Sequence, residues 1–345
     1  MNAPLGALSP AQFLAEYWQQ KPCLVRQAFP GFKPILDGDD LAGLACEEAA
    51  NARIVSGSFE RADWHINYGP FCEADFFDLP EENWTLLVQD VEKHYPPLQD
   101  LMQRFDFIPD WRLDDLMISY AASGGSVGPH TDQYDVFLLQ TEGRRRWQIA
   151  QAFDPAPLEG CTLDVLKNFT PEEDWVLEPG DMLYLPPNVA HYGVALEPGM
   201  TWSIGARAPS AADLLQGLGE WLALAGGGRY ADPGIDPASR AGEIDTDALA
   251  HLRNLVLGEV RGRSDMDLFL AEFMSRFRLA QEPGKTDEPL TPEDVRLRLG
   301  QGASVRRDPW TRLVWIEKDG CALLFAAGAR HPCSIQLAQK LCGPG

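Results

Sequence analysis

The residues best suited to chemistry lie in residues 124–135, which read GGSVGPHTDQYD. At the centre stand His130, Thr131 and Asp132. In an extended strand, residues i and i+2 point the same way, about 7 Å apart. An imidazole and a carboxylate so placed can close on one metal ion, with bonds of about 2.0–2.2 Å. Two ligands do not hold a catalytic metal. His191, at the end of Pro186-Pro187-Asn188-Val189-Ala190-His191, offers a third. Two imidazoles and one carboxylate form the facial set of non-haem Fe(II) oxygenases, which leaves open positions for substrate and O₂.

Arg145 follows Asp132 by thirteen residues, across a turn at Glu142-Gly143. Arg144, Arg145 and Arg146 alternate faces on the returning strand, so they cannot all be solvated. A buried arginine needs an anion. A dicarboxylate cosubstrate meets that need: one end chelates the metal and the other pairs with the guanidinium in bidentate fashion. Arg144 and Arg146 read as ordinary charged surface. Asp115, Met117 and Ser119 share a face of the preceding strand, and Ser119 can donate to the same distal carboxylate.

These residues need a scaffold that brings distant strands together. Strands are expected at 115–122, 130–140, 144–150, 174–177, 182–185, 191–196 and 200–207, with Gly and Pro turns between them. Many short strands so punctuated indicate a jelly roll or a similar closed double sheet. Upstream, helices are expected over 8–20, with Pro10 in the first turn, and over 40–50. A short strand is expected at 23–29 and a hairpin in 53–71. Asn83 reads as the cap of a helix striped by Trp84, Leu87, Val88 and Val91. A further helix follows Pro97.

Beyond Ser210 the pattern turns helical. Ser210 and Asp213 form a capping box. Residues 226–240 read as a linker, and helices follow over 245–260 and 264–279. The second carries Leu268, Phe269, Leu270, Phe273, Met274 and Phe277, more apolar surface than a lone helical pair hides. A dimer interface and packing on the β domain both account for it. Thr291-Pro292 opens a helix, a hairpin over 312–326 turns at Lys318-Asp319-Gly320, and a helix starts at Ser334. Together these suggest a small winged-helix-like module. Its basic residues are few and unclustered, which argues against direct nucleic-acid binding.

Bulk properties agree. A chain of 345 residues exceeds the reach of one core, so two or three domains are expected. The seven cysteines are odd in number and scattered, which speaks against a disulfide framework or structural zinc. A net charge of -22 repels nucleic acid and anionic membranes and attracts basic partners. No stretch is apolar enough to span a bilayer, and the first residues lack the basic start and apolar run of a signal peptide. A cytoplasmic protein is expected.

DDLMISY (114–120), GPHTDQYDVF (128–137), GRRRW (143–147) and EPGD with PP and His (178–191) resemble the bacterial ribosomal oxygenases. These are JmjC-type enzymes dependent on Fe(II) and 2-oxoglutarate, and the likeness is close to those acting on large-subunit ribosomal protein sixteen. The resemblance implies an α+β chain with a JmjC/cupin-type double-stranded β-helix over 1–208. It implies a helical dimerisation region over 209–282 and a winged-helix-like module over 283–345. The chain ends earlier in that last module than the family pattern does, so a shortened module is expected. The resemblance implies iron at His130, Asp132 and His191, and 2-oxoglutarate at Arg145 and Ser119. It implies hydroxylation of an arginyl residue of a basic ribosomal protein by a homodimer, with O₂ as oxidant. Asp115 and Tyr134 are candidates for the carboxylate and flat wall that would receive the guanidinium. Histidyl hydroxylation or lysine demethylation on the same scaffold, and a non-catalytic dimeric cupin-like binding protein, are the alternatives.

Overall fold

Period-two alternation between residues 113 and 206 builds two antiparallel sheets packed face to face. The computed structural model describes residues 3–232, 234, 242–278, 290–305 and 307–343. The chain divides into two units, Met1–Ala208 and Pro209–Gly345.

The strands of the first unit are β1 (Cys23–Val25), β2 (Ala52–Ser56), β3 (His65–Tyr68), β4 (Trp84–Val88), β5 (Leu113–Ala121), β6 (His130–Thr131), β7 (Asp135–Glu142), β8 (Arg145–Ala150), β9 (Glu173–Leu177), β10 (Met182–Leu185), β11 (Ala190–Ala195) and β12 (Gly199–Ala206). Eight form the larger sheet in the order β1-β10-β7-β12-β5-β4-β2-β3, and four form the smaller in the order β6-β11-β8-β9. Val136 and Leu138 of β7 pack against Trp147 and Ile149 of β8, which closes part of the sandwich.

The outer face of the larger sheet carries the main core. Helix α1 (Pro10–Glu16) is started by Ser9, whose hydroxyl accepts from the Gln12 amide at 3.2 Å, while the Gln12 side chain accepts from the Ser9 amide at 3.0 Å. It delivers the fully buried Phe13 onto Phe137 and Tyr184, with ring centroids 5.7 and 4.9 Å away. Phe105 adds a ring 5.0 Å from Phe137. Each fully buried side chain of this size stabilises the fold by about 1.5–3 kcal/mol.

Two elements differ from the sequence reading. Residues 84–88, expected as helix, form β4 between β2 and β5. Both faces of that strand are covered, so its run WTLLV does not alternate and imitates a helical stripe. Asn83, expected as a helix cap, stands at φ 64° at the strand entrance. Residues 130–140, expected as one strand, are β6 and β7 in different sheets. The chain crosses between sheets at residues 132–134. Asp135 pins the crossing: fully buried, it accepts from the Tyr184 hydroxyl at 2.6 Å, Arg112 at 3.0 Å and Gln19 at 3.1 Å.

The second unit opens with α2 (Ala211–Ala225), capped by Ser210 and Asp213, followed by α3 (Thr246–Arg261) and α4 (Met266–Arg276). Here Phe269 of α4 is buried against Trp221 of α2, ring centroids 5.7 Å apart. Part of the apolar surface of α4 therefore packs inside its own unit. Thr291 caps α5 (Pro292–Gly300). The expected hairpin is β13 (Leu313–Lys318) with β14 (Cys321–Ala326), and a third strand, β15 (Ala329–Cys333), extends it. Ser334 caps the final helix, Ile335–Cys342. Part of the expected 226–240 linker, and most of the stretch between α4 and α5, lie outside the described residues. No described helix is long and apolar enough to cross a membrane, and the cysteines are free thiols.

Candidate active site

Register brings the two histidines together. β11 pairs with β6 so that His191 stands directly opposite His130. Opposed residues of an antiparallel pair project from the same face, and the two rings lie 4.3 Å apart. Asp132, at the sheet crossing, completes the group. One ligand atom from each residue lies within 4.8 Å of the others, and the three are the described cluster able to hold a metal ion.

The imidazoles are oriented for that task. Nδ1 of His130 bonds the Gly128 carbonyl at 2.9 Å, and Nδ1 of His191 bonds the Val189 carbonyl at 3.0 Å. Each Nδ1 therefore carries its proton, which leaves both Nε2 lone pairs for a cation. Nε2 of His191 stands 3.6 Å from an Asp132 oxygen, too far for a hydrogen bond. Burial, reinforced by His130, pushes His191 down to about 4, so its ring is neutral as ligation requires. Asn188, with φ 62°, donates its amide to the Asp132 carbonyl at 2.8 Å and ties the Pro-Pro turn to the crossing.

Arg145 lies on β8, opposite Ala195 of β11. It is the buried member of the arginine run, while Arg144 pairs with Glu197 at 3.1 Å and Arg146 with Asp174 on the surface. Among the described residues no carboxylate reaches the Arg145 guanidinium. It donates to the Gly193 carbonyl at 3.1 Å, lies over the Trp147 ring at 5.1 Å, and leaves Nε without a partner. Burial lowers it to about 10. Gly193 makes this packing possible, because a Cβ there would stand 2.6 Å from Trp147 and 2.8 Å from Arg145 Nε.

One cavity of about 260 Å³ joins these groups, and all of His130, Asp132, His191, Arg145, Ser119, Asp115 and Tyr134 line it. The Ser119 hydroxyl donates to the Thr201 carbonyl at 3.3 Å. Asp115 is buried, and that burial, reinforced by Asp114, raises it to about 6. Burial first, and the neighbouring Asp132 carboxylate second, push the Tyr134 hydroxyl up. One face of its ring is covered by Arg207, whose guanidinium sits 3.8 Å from the centroid and is anchored on Asp114 at 2.8 Å.

Among the lining residues that sequence reasoning misses are Trp147, Thr85, Arg53 and Arg207. Trp147, with an unpartnered indole N–H, is two residues from Arg145 on one strand, and that spacing could have revealed it. Thr85, whose buried hydroxyl also lacks a partner, sits on the strand misread as helix. Arg53 lies on β2 and Arg207 just past the end of β12, and no local pattern marks the cavity-facing side of either.

Residues 100–214 match the JmjC domain and residues 250–343 the ROXA-like winged helix. The chain is 36% identical over 312 residues to the ribosomal protein uL16 3-hydroxylase of Escherichia coli strain K12, spanning 89% of this chain and 82% of that one. It is 33% identical to a probable ribosomal oxygenase of Haemophilus influenzae, over 90% of this chain and 79% of the other. The structure of YcfD, a ribosomal oxygenase from Escherichia coli, in complex with cobalt and 2-oxoglutarate superposes with a TM-score of 0.77. It shares 33% identity and covers 94% of this chain and 86% of its own.

Proposed function

The chain belongs to the JmjC-type ribosomal oxygenases, dioxygenases that use Fe(II), 2-oxoglutarate and O₂, and from that premise we propose that it hydroxylates an arginyl residue of large-subunit ribosomal protein uL16. The observation that carries this reading is a buried guanidinium without an acid, in one cavity with two imidazoles and a carboxylate. An unpaired buried charge costs several kcal/mol, and an anionic ligand removes that cost.

His130, Asp132 and His191 would hold the iron, offering the two Nε2 atoms and the carboxylate. Bound iron with 2-oxoglutarate and O₂ supplies oxidation of an unactivated carbon, with succinate and CO₂ as co-products. Arg145 receives the distal carboxylate of 2-oxoglutarate. The indole N–H of Trp147 and the hydroxyls of Thr85 and Ser119 offer further polar atoms to that end. Tyr134 lines the same cavity as the flat wall for the substrate guanidinium. Val136, Leu138 and Trp147 give the cavity an apolar wall.

The preference for an arginyl side chain is supported by Asp115, a buried carboxylate on the same wall, and by the net charge of -22, which favours a basic protein. A histidyl ring would gain less from a buried anion. Modification of a ribosomal protein puts the enzyme in the cytoplasm. The helical region over 209–282 serves dimerisation, with the module over 283–345 following it. Supporting this, α3 exposes Leu249, Leu252, Val256 and Val260 at helical spacing. Val256→Asp then yields a monomer in sedimentation, and an unchanged dimer would remove α3 from the interface.

The test is incubation with Fe(II), 2-oxoglutarate and ascorbate, with and without recombinant uL16. The expected result is succinate together with a gain of about 16 Da on one arginine, the mass of a single oxygen. Oxygen on a histidine, or loss of methyl groups from lysine, would replace the arginine assignment.

A further inference from the structure

Among the described residues the cavity holds a second guanidinium without a carboxylate partner, that of Arg53, and it lies on the opposite sheet from Arg145. Arg53 of β2 stands opposite Tyr68 of the edge strand β3 and opposite Leu87 of β4. Leu87 in turn stands opposite Ser119, and Ser119 opposite Thr201. This row runs along one face of the larger sheet. Tyr68 is 69% exposed, Arg53 is half-buried, and Leu87, Ser119 and Thr201 are 4%, 5% and 2% exposed. Arg53 therefore marks the point where solvent gives way to the cavity interior.

Its chemistry is incomplete. Among the described residues no carboxylate lies within 4.0 Å of the guanidinium. Its described side-chain bond is a weak one, from Nη2 to the Met117 sulfur at 3.8 Å. Asp115 and Asp132 act on it only at longer range, as do Tyr134 and Tyr68. A half-desolvated guanidinium with a planar fork of donors and no acceptors is a costly arrangement in a resting protein.

The geometry points to Arg53 as a substrate-binding residue that donates to main-chain carbonyls of the protein substrate, beside the side chain that enters the cavity. The role rests on the reading of this cavity as a protein hydroxylase site. Two features select this ligand. The 2-oxoglutarate end already has Arg145, which lies on the other sheet. The substrate side chain, if cationic, belongs with Asp115 and is repelled by a second cation. Neutral carbonyls of an extended segment crossing the mouth satisfy the fork without opposing charge, and they hold the reacting side chain in register with the metal.

The experiment compares Arg53→Met, Arg53→Gln and Arg53→Lys with the wild-type holoenzyme, using recombinant uL16 as the probe. Arg53→Met is expected to raise KM for uL16 about ten- to a hundredfold, the loss of charge-assisted bonds. kcat should stay within about threefold, and so should KM for 2-oxoglutarate and succinate formation without protein substrate. Arg53→Lys, which keeps the charge and a donor, recovers part of the affinity, and Arg53→Gln recovers less. Anaerobic binding of uL16 to the metal- and 2-oxoglutarate-loaded enzyme should weaken in step with KM, and circular dichroism confirms the fold of each variant. An unchanged KM for uL16, or a change confined to 2-oxoglutarate, overturns the assignment and leaves the hydroxylase reading standing. Wild-type enzyme that neither binds nor modifies uL16 overturns both.

Discussion

The two faces of the larger sheet are made by the same strands and do opposite things. On β5, Leu116 and Ile118 point into the aromatic core, while Asp115, Met117 and Ser119 point into the cavity. On β12, Met200, Trp202 and Ile204 go to the core, and Thr201, Ser203 and Gly205 to the cavity. β4 divides Leu86 and Val88 from Thr85 and Leu87 in the same way. A step of one residue separates cohesion from chemistry. The outer face is apolar and interlocked by Phe13, Phe105, Phe137 and Tyr184. The cavity between this inner face and the smaller sheet buries polar atoms left without a partner, Thr85 Oγ1 on the larger sheet and Arg145 Nε and Trp147 Nε1 on the smaller. Stability stored on one side offsets the cost of a receptive surface on the other.

Substitutions on the two faces should therefore separate cleanly. The largest effect is expected from Asp132→Ala: 2-oxoglutarate turnover falls to background and metal affinity drops, while the thermal midpoint of the metal-free protein stays nearly unchanged. Residual turnover near the wild-type rate would remove Asp132 from the ligand set. Phe137→Ala, on the outer face of β7, should cost about 3–5 kcal/mol of unfolding free energy in denaturant titration. Its 2-oxoglutarate KM at low temperature should match wild type, and a large shift there would show that the faces are coupled.

Arg145→Met is the converse case. KM for 2-oxoglutarate should rise by about two orders of magnitude, as expected for losing one partner of a buried charge pair. The metal- and cosubstrate-free protein should become no less stable, because an unpaired buried charge is replaced by a matching apolar chain. A destabilised variant with normal KM would reassign Arg145 to the scaffold. The smallest effect concerns pH. Asp115 is raised to about 6 by burial first and by Asp114 second, so it is anionic above that value and neutral below it. KM for a cationic substrate should climb about tenfold per pH unit as pH falls below about 6. Asp115→Asn should flatten that slope, and a slope that survives the substitution belongs to another group.

The local sequence determined a good deal. Helix starts at Ser9, Ser210, Thr291 and Ser334 were legible because capping residues act on amides within three positions. The cluster of His130, Asp132 and His191, able to hold a metal ion, was legible from residue type and from turns that place the two histidines beside glycine- and proline-rich corners. Arg145 was legible because three consecutive arginines on one strand cannot share a face. Tertiary structure decided the rest. Whether residues 84–88 become helix or strand depends on neighbours covering both faces, and covering both faces erases the alternation that would announce a strand. The break between β6 and β7 is set by Asp135 meeting Tyr184, Arg112 and Gln19, all remote in the chain. Arg53 reaches the cavity through strand register and Arg207, just past β12, through its stacking on Tyr134, relations between segments that no single segment encodes. Propensity and capping act over a few residues, whereas a cavity wall is assembled from pairings across more than a hundred.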